Sequence, residues 1–208
     1  MQILDEPHPV PIPASPVQDQ GMVHVIVVAG GAARRFQASG GAGNKLDAWL
    51  AGRPVLQHVL DAARASGLPV VLVRPPGGSP GLGDSIAQGV AQCRHAAGWL
   101  VVLGDMPLVS ASLIVEVATC LVHRRTDVVV PVCAGRRGHP VGFPAHCRDD
   151  LLRLTGDVGA RALVRQAERQ GRLHALAVAD AAIHQDVDTV TDLARLEGLL
   201  TGSGHSDE

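Results

Sequence analysis

In "VVAGGAARRF", Val27 to Phe36, a run of small apolar residues ends in two glycines, two alanines and two arginines, and the next lysine is Lys45. Gly30 and Gly31 leave no side chain between backbone N–H groups and a ligand, and Ala32 and Ala33 keep the following turn thin. Such a turn can wrap an anion. A helix N-terminus supplies only about half a positive charge, so a triphosphate needs fixed cations too, and Arg34, Arg35 and Lys45 are the nearest candidates. The second chemical feature is "VVLGDMP", Val101 to Pro107, an apolar run that closes on Gly104 and Asp105. A carboxylate at that position suits a magnesium ion bridging phosphates. Taken alone, the glycine turn is as well explained by tight packing as by a ligand, and Asp105 by turn capping. The two together favour phosphate and metal.

Competing motifs fail on inspection. A Walker loop needs Ser or Thr after its lysine, but Leu46 follows Lys45, and "GGAARR" is not the G-x-G-x-x-G of a dinucleotide site. The ten histidines form no H-x-x-x-H or H-E-x-x-H array, and Ser85 has no G-x-S-x-G elbow around it. Cys93, Cys120, Cys133 and Cys147 lie far apart with no C-x-x-C pair, as expected of reduced, buried thiols.

The elements that must position these residues follow from the hydrophobic pattern. Val23 to Ala29, Pro69 to Arg74, Trp99 to Gly104 and Asp127 to Val132 are near-continuous apolar runs, read as parallel strands buried on both faces. Helical period occupies Pro54 to Ala65, Leu82 to His95 and Ala111 to Arg124 between them. A helix over Gly159 to Gln170 with Asp157 as its cap, a strand near His174 to Val178 and a helix from Thr189 to Leu200 are expected in the last third. Strands alternating with crossover helices predict an α/β fold, a three-layer sandwich with a mostly parallel sheet and helices on both faces. In such sheets ligands collect beyond the carboxyl ends of the strands, where both motifs fall.

Composition bounds the alternatives. A chain of 208 residues with 46% hydrophobic and 18% charged residues predicts one globular domain, set at residues 22–201. Five prolines between Pro7 and Pro16 predict an extended, flexible N-terminal tail over residues 1–21, and a polar C-terminal tail is expected over 202–208. The net charge of -2 gives no overall basic field, and 2% aromatics with no Tyr leave no stacking platform, so neither nucleic acid nor membrane is an expected partner. No signal-peptide pattern opens the chain and no stretch reaches the ~18 apolar residues of a membrane helix. A cytoplasmic location is expected.

Six segments in order carry a family resemblance: "AGGAARRF" with its later lysine, "GDMP", "GLGDSIAQGV", "RRGHPVGF", "GDVGARAL" and "DVDTVTDL". The chain resembles the MobA-like nucleotidyltransferases that build molybdenum cofactor dinucleotides, and most of all their cytidylyltransferase branch, from Val23 to about Leu200. The resemblance implies a Rossmann-like, GT-A type nucleotidyltransferase fold, a magnesium cofactor, a nucleoside triphosphate (CTP before GTP) and a molybdopterin-type acceptor, with a molybdenum enzyme as a further partner. It implies that Ala29, Gly30, Gly31 and Arg35 hold the triphosphate with Lys45 near the reacting α-phosphate, that Gly81, Gly83 and Ser85 border base and ribose, and that Asp105 and Asp188 bind the metal. Asp186 is the less favoured second ligand, and Asp188 capping the last helix is the competing account of it. Gly138, His139 and Pro140, with Asp157 and Arg161, would face the acceptor, although a structural histidine and a capping aspartate explain His139 and Asp157 equally well. One departure stands out. Ten positions separate Arg35 from Lys45, about twice the family's usual spacing, and the glycine-rich "ASGGAGN" is expected to loop out while still delivering the lysine.

Overall fold

The computed structural model describes residues 21–202, so the two expected tails fall almost wholly outside the described residues. The chain enters on β1 (Val23–Val28), passes a short helix α1 (Arg34–Ala38) and forms a small hairpin from β2 (Trp49–Leu50) and β3 (Arg53–Pro54). Then α2 (Val55–Ala65), β4 (Val70–Val73), α3 (Leu82–Gln92), β5 (Gly98–Leu103), α4 (Ala111–Arg124) and β6 (Val128–Cys133) alternate. A two-residue strand β7 (Arg136–Arg137) leads to β8 (Val141–Pro144) and α5 (Arg148–Leu152), and α6 (Arg161–Arg169), β9 (Leu173–Ala177) and α7 (Val190–Gly202) follow.

The main sheet has seven strands in the order β4-β1-β5-β8-β6-β7, with β9 beside β6. β1 runs parallel to β4 and β5, and β6 parallel to β9, whereas β8 is antiparallel to both β5 and β6. Strand alternation splits the core in two. Val23, Val25 and Val27 of β1 with Leu100 and Val102 of β5 pack under α2 and α4, while Ile26, Val28, Trp99 and Val101 pack under α3, α5 and α6. The three-layer α/β sandwich expected from the pattern is therefore present. No helix among the described residues is long and apolar enough to cross a membrane.

One expectation needs correction. β4 is an edge strand, not one buried on both faces: Leu72 is 41% exposed. The sheet is mostly parallel as expected, with β8 inserted antiparallel between β5 and β6. Four residues with a glycine and a terminal proline give that strand almost no local signal. A Cβ on Gly142 would sit 3.3 Å from the Leu121 side chain, a tight contact.

Candidate active site

The order β4-β1-β5 reverses direction at β1, which opens a crevice beyond the carboxyl ends of β1 and β5. Val28 is in register with Leu103, and the Gly104 N–H donates to the Val28 carbonyl at 2.9 Å, so the glycine turn and Asp105 leave the sheet at one height. The two glycines then serve different purposes. A Cβ on Gly30 would lie 2.5 Å from Ser79 Cβ and 2.9 Å from Ser85 Oγ, so its neighbour is the protein itself. Gly31 meets nothing within 4 Å and faces the opening. Ala33 adopts a left-handed backbone at φ 52°, rare for a residue with a side chain, as the chain swings into α1. Because α1 has only five residues, its dipole is a poor anion holder and the charge must come from side chains.

The segment between Arg35 and Lys45 does not simply loop out. Its first part is helical, Phe36 is buried, and Gly41 lies where a Cβ would strike the Phe36 ring at 2.2 Å. Gln37 donates to the Gly43 carbonyl at 3.0 Å, and the Asn44 side chain accepts from the Leu46 N–H at 3.0 Å. Phe36 packs with Leu50, Val55, Val187 and Leu196 in a third small core that fixes Lys45 and the "DVDT" segment together.

Val187 is fully buried in that core and its N–H donates to the Asp105 carbonyl at 2.9 Å. Its two neighbours thus turn toward Asp105. One oxygen from each of Asp105, Asp186 and Asp188 lies within 4.8 Å of the others. The Lys45 ammonium reaches into this triad, with Nζ 2.6 Å from Asp105 and 2.8 Å from Asp188. Arg35, with a side chain 80% exposed, pairs with the other Asp188 oxygen. Burial alone would lower the Lys45 pKa, but Asp105 and then Asp188 outweigh it and hold the ammonium above its ordinary 10.5. For Asp186 burial comes first and repulsion from Asp105 and Asp188 adds to it, so its carboxyl is held above the ordinary 3.8. Asp188 does not cap the last helix. Thr189 and Asp192 do so reciprocally, with Thr189 N–H to Asp192 at 2.9 Å and Asp192 N–H to Thr189 Oγ1 at 3.2 Å.

A cleft of about 400 Å³ runs from Gly31, Arg35 and Lys45 past Asp105 and Asp188 to Gly81 and Asp157. Gly81 and Gly83 are wedged against the loop after α5: Cβ atoms there would lie 2.2 Å from Gly156 and 2.8 Å from Thr155 backbone. Asp84 accepts from the Gly156 N–H at 2.8 Å and completes that clamp, which carries Asp157 to the cleft. Asp157 does not cap α6; Ala160 occupies the cap position with no side-chain bond. Ser85 is buried at the base of the cleft and donates to the Gly81 carbonyl at 3.3 Å.

Of the residues implied for the acceptor, Asp157 lines this cleft, while Gly138, His139, Pro140 and Arg161 do not. A Cβ on Gly138 would lie 2.2 Å from the Ile183 carbonyl, and the His139 N–H donates to that carbonyl at 3.1 Å. His139 is half-buried, and its Nδ1 is shut off from solvent with no hydrogen-bond partner among the described residues. Burial first, then Arg161, lowers its pKa below 6.5, against the backbone of Val101 and the charge of Asp105. Two contributors escaped the sequence reading. Ser79 binds the Gly30 carbonyl at 2.9 Å, and Asn44 reaches toward the Gly31 carbonyl at 3.4 Å. Only the adjacency of the β1 and β4 carboxyl ends could have suggested Ser79.

A glycine bend at a sheet's switch point, facing carboxylates that carry their own counter-cations, belongs to nucleotidyltransferases of the α/β class. The chain is a member of the MobA-like NTP transferase domain family, whose model matches residues 25–173. Among solved structures it is similar to a nucleotidyl transferase from Methanothermobacter thermautotroptrophicus at 20% identity and TM-score 0.74, covering 88% of this chain and 99% of that one. Rv0371c of Mycobacterium tuberculosis H37Rv, in complex with manganese, matches at 25% identity and TM-score 0.64, covering 85% and 98%. A CMP:2-keto-3-deoxy-manno-octonic acid synthetase complexed with CTP shares the fold at 12% identity and TM-score 0.60, covering 88% and 99%. No curated protein matches the sequence.

Proposed function

We propose that this nucleotidyltransferase moves CMP from CTP to the terminal phosphate of molybdenum-bound molybdopterin and releases pyrophosphate, in the cytoplasm and with magnesium. The observation that carries the catalytic part is the convergence of Lys45 with Asp105 and Asp188, 2.6 and 2.8 Å from its ammonium, beside the open Gly31 backbone. The acceptor and the base are supported by the resemblance of "RRGHPVGF", "GDVGARAL" and "DVDTVTDL" to the cytidylyltransferase branch, and CTP also by the CTP complex of the synthetase that shares the fold. Four free thiols fit a reducing compartment.

Hard carboxylate oxygens within 4.8 Å of one another, with a cation already lodged between two of them, fit a divalent ion of the magnesium or manganese kind. Such an ion, when bound, neutralises charge on the phosphates and draws donor and acceptor together. The protein does the rest by placement. Gly31 lets the triphosphate approach the backbone, Lys45 lies near the reacting α-phosphate, and Arg35 with Lys45 stabilises the departing pyrophosphate. Asp157, at the far end of the cleft, orients the acceptor, with Arg161 beyond it. An acceptor phosphate oxygen forms the new bond to the α-phosphorus as the bond to the β-phosphate oxygen breaks, with no covalent enzyme intermediate. Gly138, His139 and Pro140 lie outside this cleft, and their role toward the acceptor rests on the resemblance alone.

The test is pyrophosphate release by the pure protein with magnesium, each of the four nucleoside triphosphates in turn, and molybdenum-loaded molybdopterin. Release with CTP is the expected result. A clear GTP preference would move the assignment to the guanylyl branch, turnover on a sugar phosphate alone would move the acceptor, and tight cofactor binding with no release would make it a maturation chaperone.

A further inference from the structure

We propose that the Lys45 ammonium is the resting occupant of the divalent-cation position, and that it gives way when a triphosphate in the same cleft offers it another anion. This rests on the reading of Asp105 and Asp188 as metal ligands. A magnesium-like ion sits about 2.0–2.1 Å from its carboxylate oxygens, in the space that Lys45 Nζ fills at 2.6 Å from Asp105 and 2.8 Å from Asp188. Two cations cannot share that space. Arg35 covers the second oxygen of Asp188 as well, so both oxygens of this carboxylate are engaged before any metal arrives. Among the described residues no ion pair reaches Asp186, which leaves the cluster three carboxylates against two fixed cations. Its pull on a free divalent ion is correspondingly weak.

The nucleotide changes the balance. Lys45 and Arg35 line the same cleft as Gly31, so a triphosphate against that bend lies within reach of a flexible four-carbon stem and an exposed guanidinium. As each cation passes to a phosphate, a carboxylate oxygen is freed for the metal. Nucleotide and metal then raise one another's affinity by the same factor, since coupling between sites is reciprocal. The long, Phe36-anchored segment before Lys45 holds the lysine at the acids instead of leaving it in solvent.

Manganese binding to the full chain without nucleotide, followed by the loss of the free-ion EPR signal, tests this directly. Lys45→Met and Lys45→Gln are expected to bind manganese about tenfold or more tightly than the unmodified protein, a typical coupling factor. Arg35→Met, which alters a side chain largely in solvent, is expected to gain by a smaller factor. Adding Asp105→Asn to Lys45→Met should abolish the gain. Equal or weaker binding by the folded lysine variants, checked by circular dichroism, would overturn the placeholder role and leave the metal reading intact. Failure of every protein to bind manganese in an Asp105-dependent way would overturn both.

Discussion

Val187 is the residue that makes two aspartates face a third. Its side chain is fully buried and its N–H is tied to the Asp105 carbonyl, so the extended alternation sends Asp186 and Asp188 to the same side. Asp105 is the member that a strand end delivers and that Lys45 grips most closely. Replacing it by Asn keeps the shape and removes the charge. The expected outcome is a fall in kcat/KM for pyrophosphate release of about 100-fold or more, with an unchanged circular dichroism spectrum; a folded, fully active variant would remove Asp105 from the chemistry. Asp186 carries the opposite sign. Its folded pKa is raised by burial and by its two neighbours, so its ionised form weakens the metal-free fold near neutral pH. Asp186→Asn is therefore expected to raise the melting temperature of the metal-free protein while weakening manganese binding, two readouts that move apart only if the carboxylate is crowded and still useful to the metal.

At the scale of elements, the turn after β1 separates a packing glycine from an open one. Gly30→Ala forces a methyl to within 2.5 Å of Ser79 Cβ and is expected to cost about 1–3 kcal/mol in denaturant unfolding. Gly31→Ala meets no neighbouring atom, so stability should stay within about 0.5 kcal/mol, while the KM for the triphosphate rises because the methyl stands where the phosphates approach. A Gly31 variant with unchanged KM would remove the bend from the nucleotide site. The sequence made β1 and β5 legible because both are near-continuous apolar runs, and Gly31 and Asp105 with them because each comes just after such a run. β8 was not legible: Gly142 and Pro144 interrupt it, and its longer pairing is with β5, remote in sequence. The resemblance put the glycines at 81, 83 and 138 beside ligands, and each also has a packing reason that its own segment does not reveal. Gly156, Thr155 and Ile183 fill those places, and no local pattern announces that. Lys45 could be placed only loosely, since its position depends on Phe36 finding a core built from three remote segments.

Across the whole molecule, His139 is a titratable group outside the cleft that ties pH to stability. His139 lies within electrostatic reach of Asp105 and Arg161, and its Nδ1 is shut off from solvent. Enclosure, helped by Arg161, lowers its folded pKa below the ordinary 6.5, against the Val101 backbone and Asp105. The sign follows. In the unfolded chain the ring gains its proton as pH falls through about 6.5, while the folded protein holds out to lower pH, so the unfolded state binds more protons in that window. Stability from this group is complete above pH 6.5 and is lost as pH drops through it toward the folded pKa. One such proton contributes a slope of at most about 1.4 kcal/mol per pH unit. Unfolding free energies measured in urea at pH 7.5, 6.5 and 5.5 should fall more steeply for the unmodified protein than for His139→Asn, the other titrating groups cancelling between the two. Parallel slopes would mean that the ring titrates in the folded state as freely as in water.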